Sequence, residues 1–101
     1  MEKIYQYTIT DQEIFENIFK DEKLLMNHVV VLPNKVFPKH PTDATIYALI
    51  VQGDLTLSIE DKEAKTFNVG QLVNIPKGIN SELSNKGDKL LELFVVKYDY
   101  D

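Results

Sequence analysis

Hydrophobic and polar residues alternate along most of the chain with the period of two that is typical of β-strands. In the segment 55–60, Leu55, Leu57 and Ile59 alternate with polar residues, which suits one buried and one solvated face. Short segments of this kind, separated by Pro, Gly, Asn and Asp, predict strands at 24–32, 45–51, 55–60, 64–67, 72–75, 79–84 and 90–97. Several short strands at this spacing predict an antiparallel sandwich or closed barrel.

The first part of the chain has a different pattern. Residues 4–9 alternate weakly and predict a short strand, and Thr10 and Glu13 have the spacing of a capping box, which begins helices. Apolar residues then follow at helical spacing: Ile14, Phe15, Ile18 and Phe19. This pattern predicts a short amphipathic helix near residues 11–20 whose apolar face packs on the barrel.

A chain of 101 residues fits one domain. Within that domain we expect residues 1–23 to form the N-terminal strand and helix, and residues 24–101 to form the β-barrel.

Two spaced motifs resemble the signatures of the cupin superfamily. The second signature, G-x5-P-x-G-x2-H-x3-N, is matched except at its histidine by Gly70, Pro76, Gly78, Ser81 and Asn85. The first, G-x5-H-x-H-x3-E-x6-G, is matched in length by His40, Thr42, Ile46 and Gly53. The resemblance covers about residues 26–97 and implies an all-β fold, the cupin-type double-stranded β-helix or jelly-roll barrel.

The same resemblance implies where a metal would bind. In metal-binding cupins two histidines, a glutamate and a third histidine hold one divalent ion, and here three of those positions are Thr42, Ile46 and Ser81. Hydroxyl and aliphatic groups are poor ligands for first-row metals, and a lone His40 falls short of the three protein ligands of a catalytic site. We therefore expect no metal cofactor.

One alternative would rebuild a metal site from other residues. His28 lies in the middle of a predicted strand. If its side chain faced the barrel interior, it could approach His40 and form a two-histidine site with Asp43 or Glu82.

Composition excludes several classes of function. The net charge is −5, with 16 acidic residues against 11 lysines and no arginine, which argues against nucleic-acid binding. The chain has no cysteine, and therefore no disulfide or thiolate site. The first residues lack the pattern of a signal peptide, and no apolar run is long enough to cross a bilayer. We expect a cytoplasmic protein with no membrane partner.

Loss of the charged ligands predicts a mainly apolar pocket with a few polar groups, which is the usual composition of a small-molecule site. We expect metal-independent binding of a small, partly apolar molecule whose identity the sequence leaves open. Inward-facing candidates follow from the family's ligand positions and from strand alternation: His40, Thr42, Ile46, Ala48, Ile50, Ser81 and Leu83.

Two further functions stay open at this point. The protein could be an enzyme, either an acid–base isomerase or epimerase in which His40 acts with a tyrosine, as in some metal-independent cupins, or a metal enzyme with shifted ligands. It could also be a structural or regulatory homodimer whose barrel is filled by side chains. A homodimer is expected in any case, because a small barrel leaves open strand edges, and residues 5–9 are the segment expected to reach across.

Overall fold

The computed structural model describes residues 1–100, and within them the chain forms nine β-strands and no helix. Accordingly, this part of the chain has no helix that could span a membrane. The strands are β1 (Ile14–Lys20), β2 (Leu24–Val31), β3 (Val36–Pro41), β4 (Thr45–Gln52), β5 (Leu55–Ile59), β6 (Lys65–Phe67), β7 (Leu72–Ile75), β8 (Asn80–Ser84) and β9 (Leu91–Tyr98).

The strands form two sheets in which every pairing is antiparallel. The order is β1-β2-β9-β4-β7 in the five-stranded sheet and β3-β8-β5-β6 in the four-stranded sheet. The sheets face each other across a core of aliphatic side chains: Val29, Val31, Ile50, Leu55, Leu57, Ile75, Leu91 and Leu93. The predicted all-β class and the predicted antiparallel pairing are confirmed.

The predicted helix near residues 11–20 is wrong, because this segment forms β1 and pairs with β2. The register of the pair shifts between Asn17 and Phe19, which marks a β-bulge. A bulge moves the alternation of side chains by one residue, so apolar residues on the two sides of it appear at helical spacing. Thr10 forms a local turn instead of a capping box: its Oγ1 accepts from the Gln12 N–H at 3.0 Å.

Residues 1–13, the N-terminal arm, form no strand, so the strand predicted at 4–9 is also wrong. The arm lies along the outer face of the five-stranded sheet. The Tyr5 ring packs 5.3 Å from the Phe19 ring, and the Tyr7 ring packs 4.9 Å from Phe94. Side chains therefore hold the arm against the sheet.

Strand β3 was absent from the sequence prediction because it contains Pro38 and Pro41. Proline cannot donate to a ladder and is confined to edge strands or bulges. β3 is an edge strand of the four-stranded sheet, and its register with β8 shifts between Phe37 and His40. This bulge and edge position accommodate the prolines and bring His40 opposite β8.

Two residues of the family signatures, Gly53 and Asn85, contact the connection between β8 and β9. Gly53 has a φ of 76°, and a Cβ there would overlap the Leu90 carbonyl oxygen and lie 3.0 Å from the Leu91 Cα. Asn85 is buried, and its Nδ2 donates to the Val31 and Lys89 carbonyl oxygens at 3.0 and 2.8 Å. Both residues fix the β8–β9 connection against neighbouring strands.

Candidate functional site

A cavity of about 160 Å³ lies between the two sheets. Its wall is mostly aliphatic and aromatic, with Phe15, Val29, Phe37, Ile46, Ala48, Leu55, Leu57, Ile75, Leu83, Leu93 and Val95. The polar side chains in the wall are Asn27, His40, Thr42, Ser81 and Lys97. His40 and Phe15 are exposed, whereas Leu55 and Leu57 are fully buried, so the cavity runs from an exposed rim to a closed apolar end.

Most of the predicted site residues line this cavity: His40, Thr42, Ile46, Ala48, Ser81 and Leu83. Ile50 does not line it. Its side chain is on the same face of β4 as Ile46 and Ala48, but it is fully buried in the core cluster beyond the cavity. Alternation fixed the face of each residue, but only packing decided how far the cavity extends along the strand.

The rim is built by pairing between β3 and β8. His40 lies directly opposite Ser81 in the antiparallel register, and Phe37 lies opposite Leu83. Side chains of directly paired residues lie on the same face of a sheet. The pairing therefore turns all four side chains toward the cavity.

Thr42 holds a turn rather than presenting a free hydroxyl. Its Oγ1 donates to the Pro76 carbonyl oxygen at 2.8 Å and accepts from the Ile79 N–H at 3.2 Å. The Thr42 carbonyl oxygen also accepts from the Gly78 N–H at 2.9 Å. The Thr42 hydroxyl is therefore occupied by the β7–β8 connection, and the remaining polar groups of the cavity are those of Asn27, His40, Ser81 and Lys97.

His40 has a defined hydrogen-bond pattern. Its Nδ1 lies 2.9 Å from the Pro38 carbonyl oxygen, which can only accept, so Nδ1 carries the hydrogen. In the neutral imidazole Nε2 is then the acceptor. His40 can accept a hydrogen bond from a ligand at the rim.

Sequence reasoning missed two polar groups of the cavity, Asn27 and Lys97. The signal was present in the alternation: Asn27 shares a strand face with Val29 and Val31, and Lys97 shares one with Leu93 and Val95. A polar residue on an otherwise apolar, inward-facing stripe is informative because burying it carries a cost.

His28 lies on the opposite face of the five-stranded sheet from Asn27 and does not line the cavity. It is fully buried, with Nδ1 2.8 Å from Glu16 Oε2 and Nε2 2.6 Å from Glu92 Oε2. The structure therefore does not bring His28 and His40 together. Asp43 and Glu82 are likewise outside the cavity wall, so the alternative two-histidine site is not formed.

The carboxylate of Glu16 is held by the N-terminal arm as well as by His28. The Thr8 N–H donates to Glu16 Oε2 at 2.8 Å, and the Thr8 hydroxyl donates to Oε1 at 2.9 Å. The backbone hydrogen bond from Thr8, and next the hydrogen bond from His28, lower the pKa of Glu16 below its ordinary value. The Tyr7 ring covers His28 at 4.8 Å.

The cavity wall does not fit the metal that the cupin signatures imply. Ile46 has no atom that can bind a metal, and the Thr42 hydroxyl is already engaged by Pro76 and Ile79. Among residues 1–100, no carboxylate lines the cavity. Across residues 1–100, no group of three His, Asp or Glu side chains is arranged to hold a metal ion. Ser81 and His40 alone fall short of a divalent site.

With the geometry in place, comparisons with known proteins identify the fold. The chain is similar over 99% of its length to the crystal structure of an RmlC-like cupin family protein with a double-stranded β-helix fold from Methanocaldococcus jannaschii, with a TM-score of 0.92 and 28% identity. It covers 93% of that chain. This chain has the fold of a small single-domain cupin.

The same Methanocaldococcus jannaschii protein is also similar in sequence: the uncharacterized protein MJ0764 is 29% identical over 98 residues, which cover 96% of this chain and 84% of the relative. The cupin 2 conserved barrel domain protein of Salinispora arenicola has a TM-score of 0.76 at 15% identity, covering 93% of this cupin and 82% of that chain. No protein-family profile matches this cupin. The similarities establish the fold but assign no activity to this chain.

Proposed function

We propose that this cupin binds a small, partly apolar molecule in the cavity between its sheets without the help of a metal. The observation that carries the proposal is a largely apolar cavity of about 160 Å³ with a few polar groups in its wall. That composition is typical of small-molecule sites. An apolar cavity of roughly 150 Å³ accommodates benzene, so the ligand should be about the size of a single ring.

Two polar side chains favour a ligand-binding cavity over a core that is filled by side chains. Asn27 is 6% exposed and Ser81 is 8% exposed, yet neither Asn27 Nδ2 nor Ser81 Oγ has a hydrogen-bond partner within residues 1–100. Every fully shielded side-chain polar atom in that range does have a partner, so these two atoms keep some accessible surface, and both residues line the cavity. A ligand or water would satisfy them, because buried polar groups are normally hydrogen-bonded.

The alternatives receive less support from the same residues. A barrel filled by side chains would leave no cavity of this size. An acid–base enzyme with a histidine–tyrosine pair would need a tyrosine beside His40, and no tyrosine of residues 1–100 lines the cavity. Metal-independent binding therefore accounts best for the residues that are present.

The test replaces a small side chain in the cavity wall by a larger one that fills the cavity. Ala48 is buried and lines the cavity, so Ala48→Leu should occlude it, while Ala64→Leu adds the same atoms on the exposed surface. Toluene and benzyl alcohol are the probes. They should raise the Tm of the wild type and of Ala64→Leu, by roughly ten degrees at a hundredfold excess over Kd, and leave Ala48→Leu unchanged. An equal response of all three proteins, or none in the wild type, would refute the proposal.

We also propose that the protein is a homodimer that uses the N-terminal arm. Ile4 and Ile9 of the arm are 82% and 89% exposed, and Tyr47 and Leu49 are exposed on the outer face of the same sheet. Exposed apolar groups near one another are typical of interaction surfaces. Light scattering at tens of micromolar should give twice the subunit mass, and Ile9→Glu should give one subunit mass. A wild type that scatters as a monomer would contradict the proposal.

A further inference from the structure

The cavity wall carries one kind of charge. Among residues 1–100, Lys97 is the only lysine, aspartate or glutamate in the cavity wall, and it follows Leu93 and Val95 on the inward stripe of β9. Its side chain is only 24% exposed. A lysine placed on an inward stripe is costly unless its ammonium group finds a partner.

The partner that the chain itself provides is weak. Lys97 Nζ lies 3.5 Å from Asp43 Oδ1, and the Asp43 side chain is 79% exposed. An ion pair whose carboxylate is this exposed contributes little, because water solvates the carboxylate and salt screens the attraction. Lys97 lines the cavity, and its single hydrogen bond to Asp43 leaves two of the three ammonium hydrogens for a second anion.

Two uncharged groups of the cavity can also donate hydrogen bonds. Asn27 Oδ1 already accepts from Asn17 Nδ2 at 3.0 Å, which leaves the Asn27 Nδ2 hydrogens for the cavity. The Ser81 hydroxyl is free to donate as well. Together with the ammonium group of Lys97 they form a set of donors that is complementary to the oxygens of an anionic group.

From these donors we infer that the ligand is a small monocarboxylate, with its carboxylate at Lys97 and its apolar part toward Leu55 and Leu57. This inference rests on the proposed binding function and names the class of molecule bound. A single cationic side chain in a mostly apolar cavity matches one negative charge. A phosphate would carry more charge and would call for further cations, which the wall does not provide.

The experiment compares carboxylates with uncharged molecules of the same shape. Isovalerate, benzoate and phenylacetate are titrated by calorimetry against the wild type, beside their primary amides. At least one carboxylate should bind about tenfold or more tightly than its amide. Lys97→Met keeps the aliphatic stem and removes the charge, so it should abolish this preference. Lys86→Met, a change at an exposed lysine outside the cavity, should preserve it.

A second variant should not weaken carboxylate binding. Asp43→Asn removes the carboxylate that competes for Lys97, so it should leave carboxylate binding as tight as in the wild type or tighten it severalfold. Misfolding cannot produce that result, because a damaged cavity would lose affinity.

The outcomes separate this inference from the proposed function. If the amides bind in the cavity as well as the carboxylates do, or if Lys97→Met keeps the preference, the assignment of an anionic ligand is wrong and the binding function stands. If neither series binds the wild type and toluene also fails, the proposed binding function itself is wrong. Carboxylate binding that survives in Ala48→Leu would place the anion outside the cavity and overturn the inference.

Discussion

Nε2 of His28 lies 2.6 Å from Oε2 of Glu92, on the outer face of the five-stranded sheet. Nδ1 of the same ring faces Glu16 at 2.8 Å, so both ring nitrogens meet carboxylate oxygens. Ionised carboxylates only accept hydrogen bonds, and an imidazole satisfies two of them when both of its nitrogens carry hydrogen. The N-terminal arm closes over this cluster through Tyr7 and Thr8. The cluster thus links the arm to β1, β2 and β9.

His28→Leu should destabilise the fold. Removing one partner from a buried charge cluster costs about 3–5 kcal/mol, and about 1–3 kcal/mol is expected here because Glu16 and Glu92 keep some contact with water. Urea unfolding measures the loss. Adding Glu16→Gln and Glu92→Gln to His28→Leu should recover part of the stability, since no charge is then left unpaired. A His28→Leu protein as stable as the wild type would show that the cluster contributes nothing.

The arm should loosen in acid. The pKa of Glu16 is lowered from its ordinary value of 4.5 in the folded protein, so the unfolded chain binds more protons as the pH falls below 4.5. The stabilisation from this carboxylate is therefore present above pH 4.5 and is lost below it. The Tm difference between the wild type and Glu16→Gln should be largest near neutral pH and should shrink as the pH falls through this window. A difference that is independent of pH would contradict this account.

Gly53→Ala should be strongly destabilising. A left-handed φ costs a non-glycine residue about 1–2 kcal/mol, and the added Cβ would also overlap the Leu90 carbonyl oxygen, so the total should reach about 3 kcal/mol or more. Gly70→Ala is the matched control, because Gly70 also has positive φ, at 91°, but a Cβ there meets no atom within 4 Å. Its cost should be the conformational part alone. Equal losses in the two variants would mean that the overlap at Gly53 relaxes freely.

Asn85→Asp should cost about 3 kcal/mol or more. The change keeps the acceptor that receives the Gly87 N–H at 3.1 Å, but it replaces the donor of two hydrogen bonds by a buried anionic oxygen that faces carbonyl oxygens. Asn74→Asp makes the same chemical change at an exposed residue and should cost less than about 1 kcal/mol. Chemical unfolding distinguishes the two. Similar losses of stability in the two variants would indicate that the hydrogen bonds donated by Asn85 Nδ2 contribute little to folding.

Metal should have little effect on the unmodified protein. Added Mn, Fe, Ni, Zn or Cu should leave the Tm nearly unchanged, whereas Thr42→His, Ile46→Glu and Ser81→His together should create metal-dependent stabilisation. The triple variant loses the Thr42 hydrogen bonds, so the measurement is the shift that metal produces rather than the absolute Tm. A stoichiometric metal in the purified wild type that disappears in His40→Ala would contradict metal-independent binding.

Local sequence signals were sufficient for β2, for the strands from β4 onward and for the resemblance to cupins. Alternation set which face of each strand is apolar, and Gly53 and Gly70 marked turns with positive φ. These features are local, because they depend on side-chain period and backbone conformation within a few residues. Sequence reasoning failed at β1 and β3, where bulges shift the alternation or accommodate proline, since a bulge depends on the partner strand.

The sequence by itself determined the all-β, cupin-type fold, and residue identity alone shows that Ile46, at the family's glutamate position, has no atom that can bind a metal. Only the tertiary structure decided what surrounds each candidate. The Thr42 hydroxyl is engaged in a turn, and Ile50 lies in the core beyond the cavity. His28 lies on the outer face of its sheet. Asn27 and Lys97 line the cavity. The reason is that a site consists of contacts between residues far apart in the chain, and those contacts depend on strand order, register and packing depth, which no local pattern specifies.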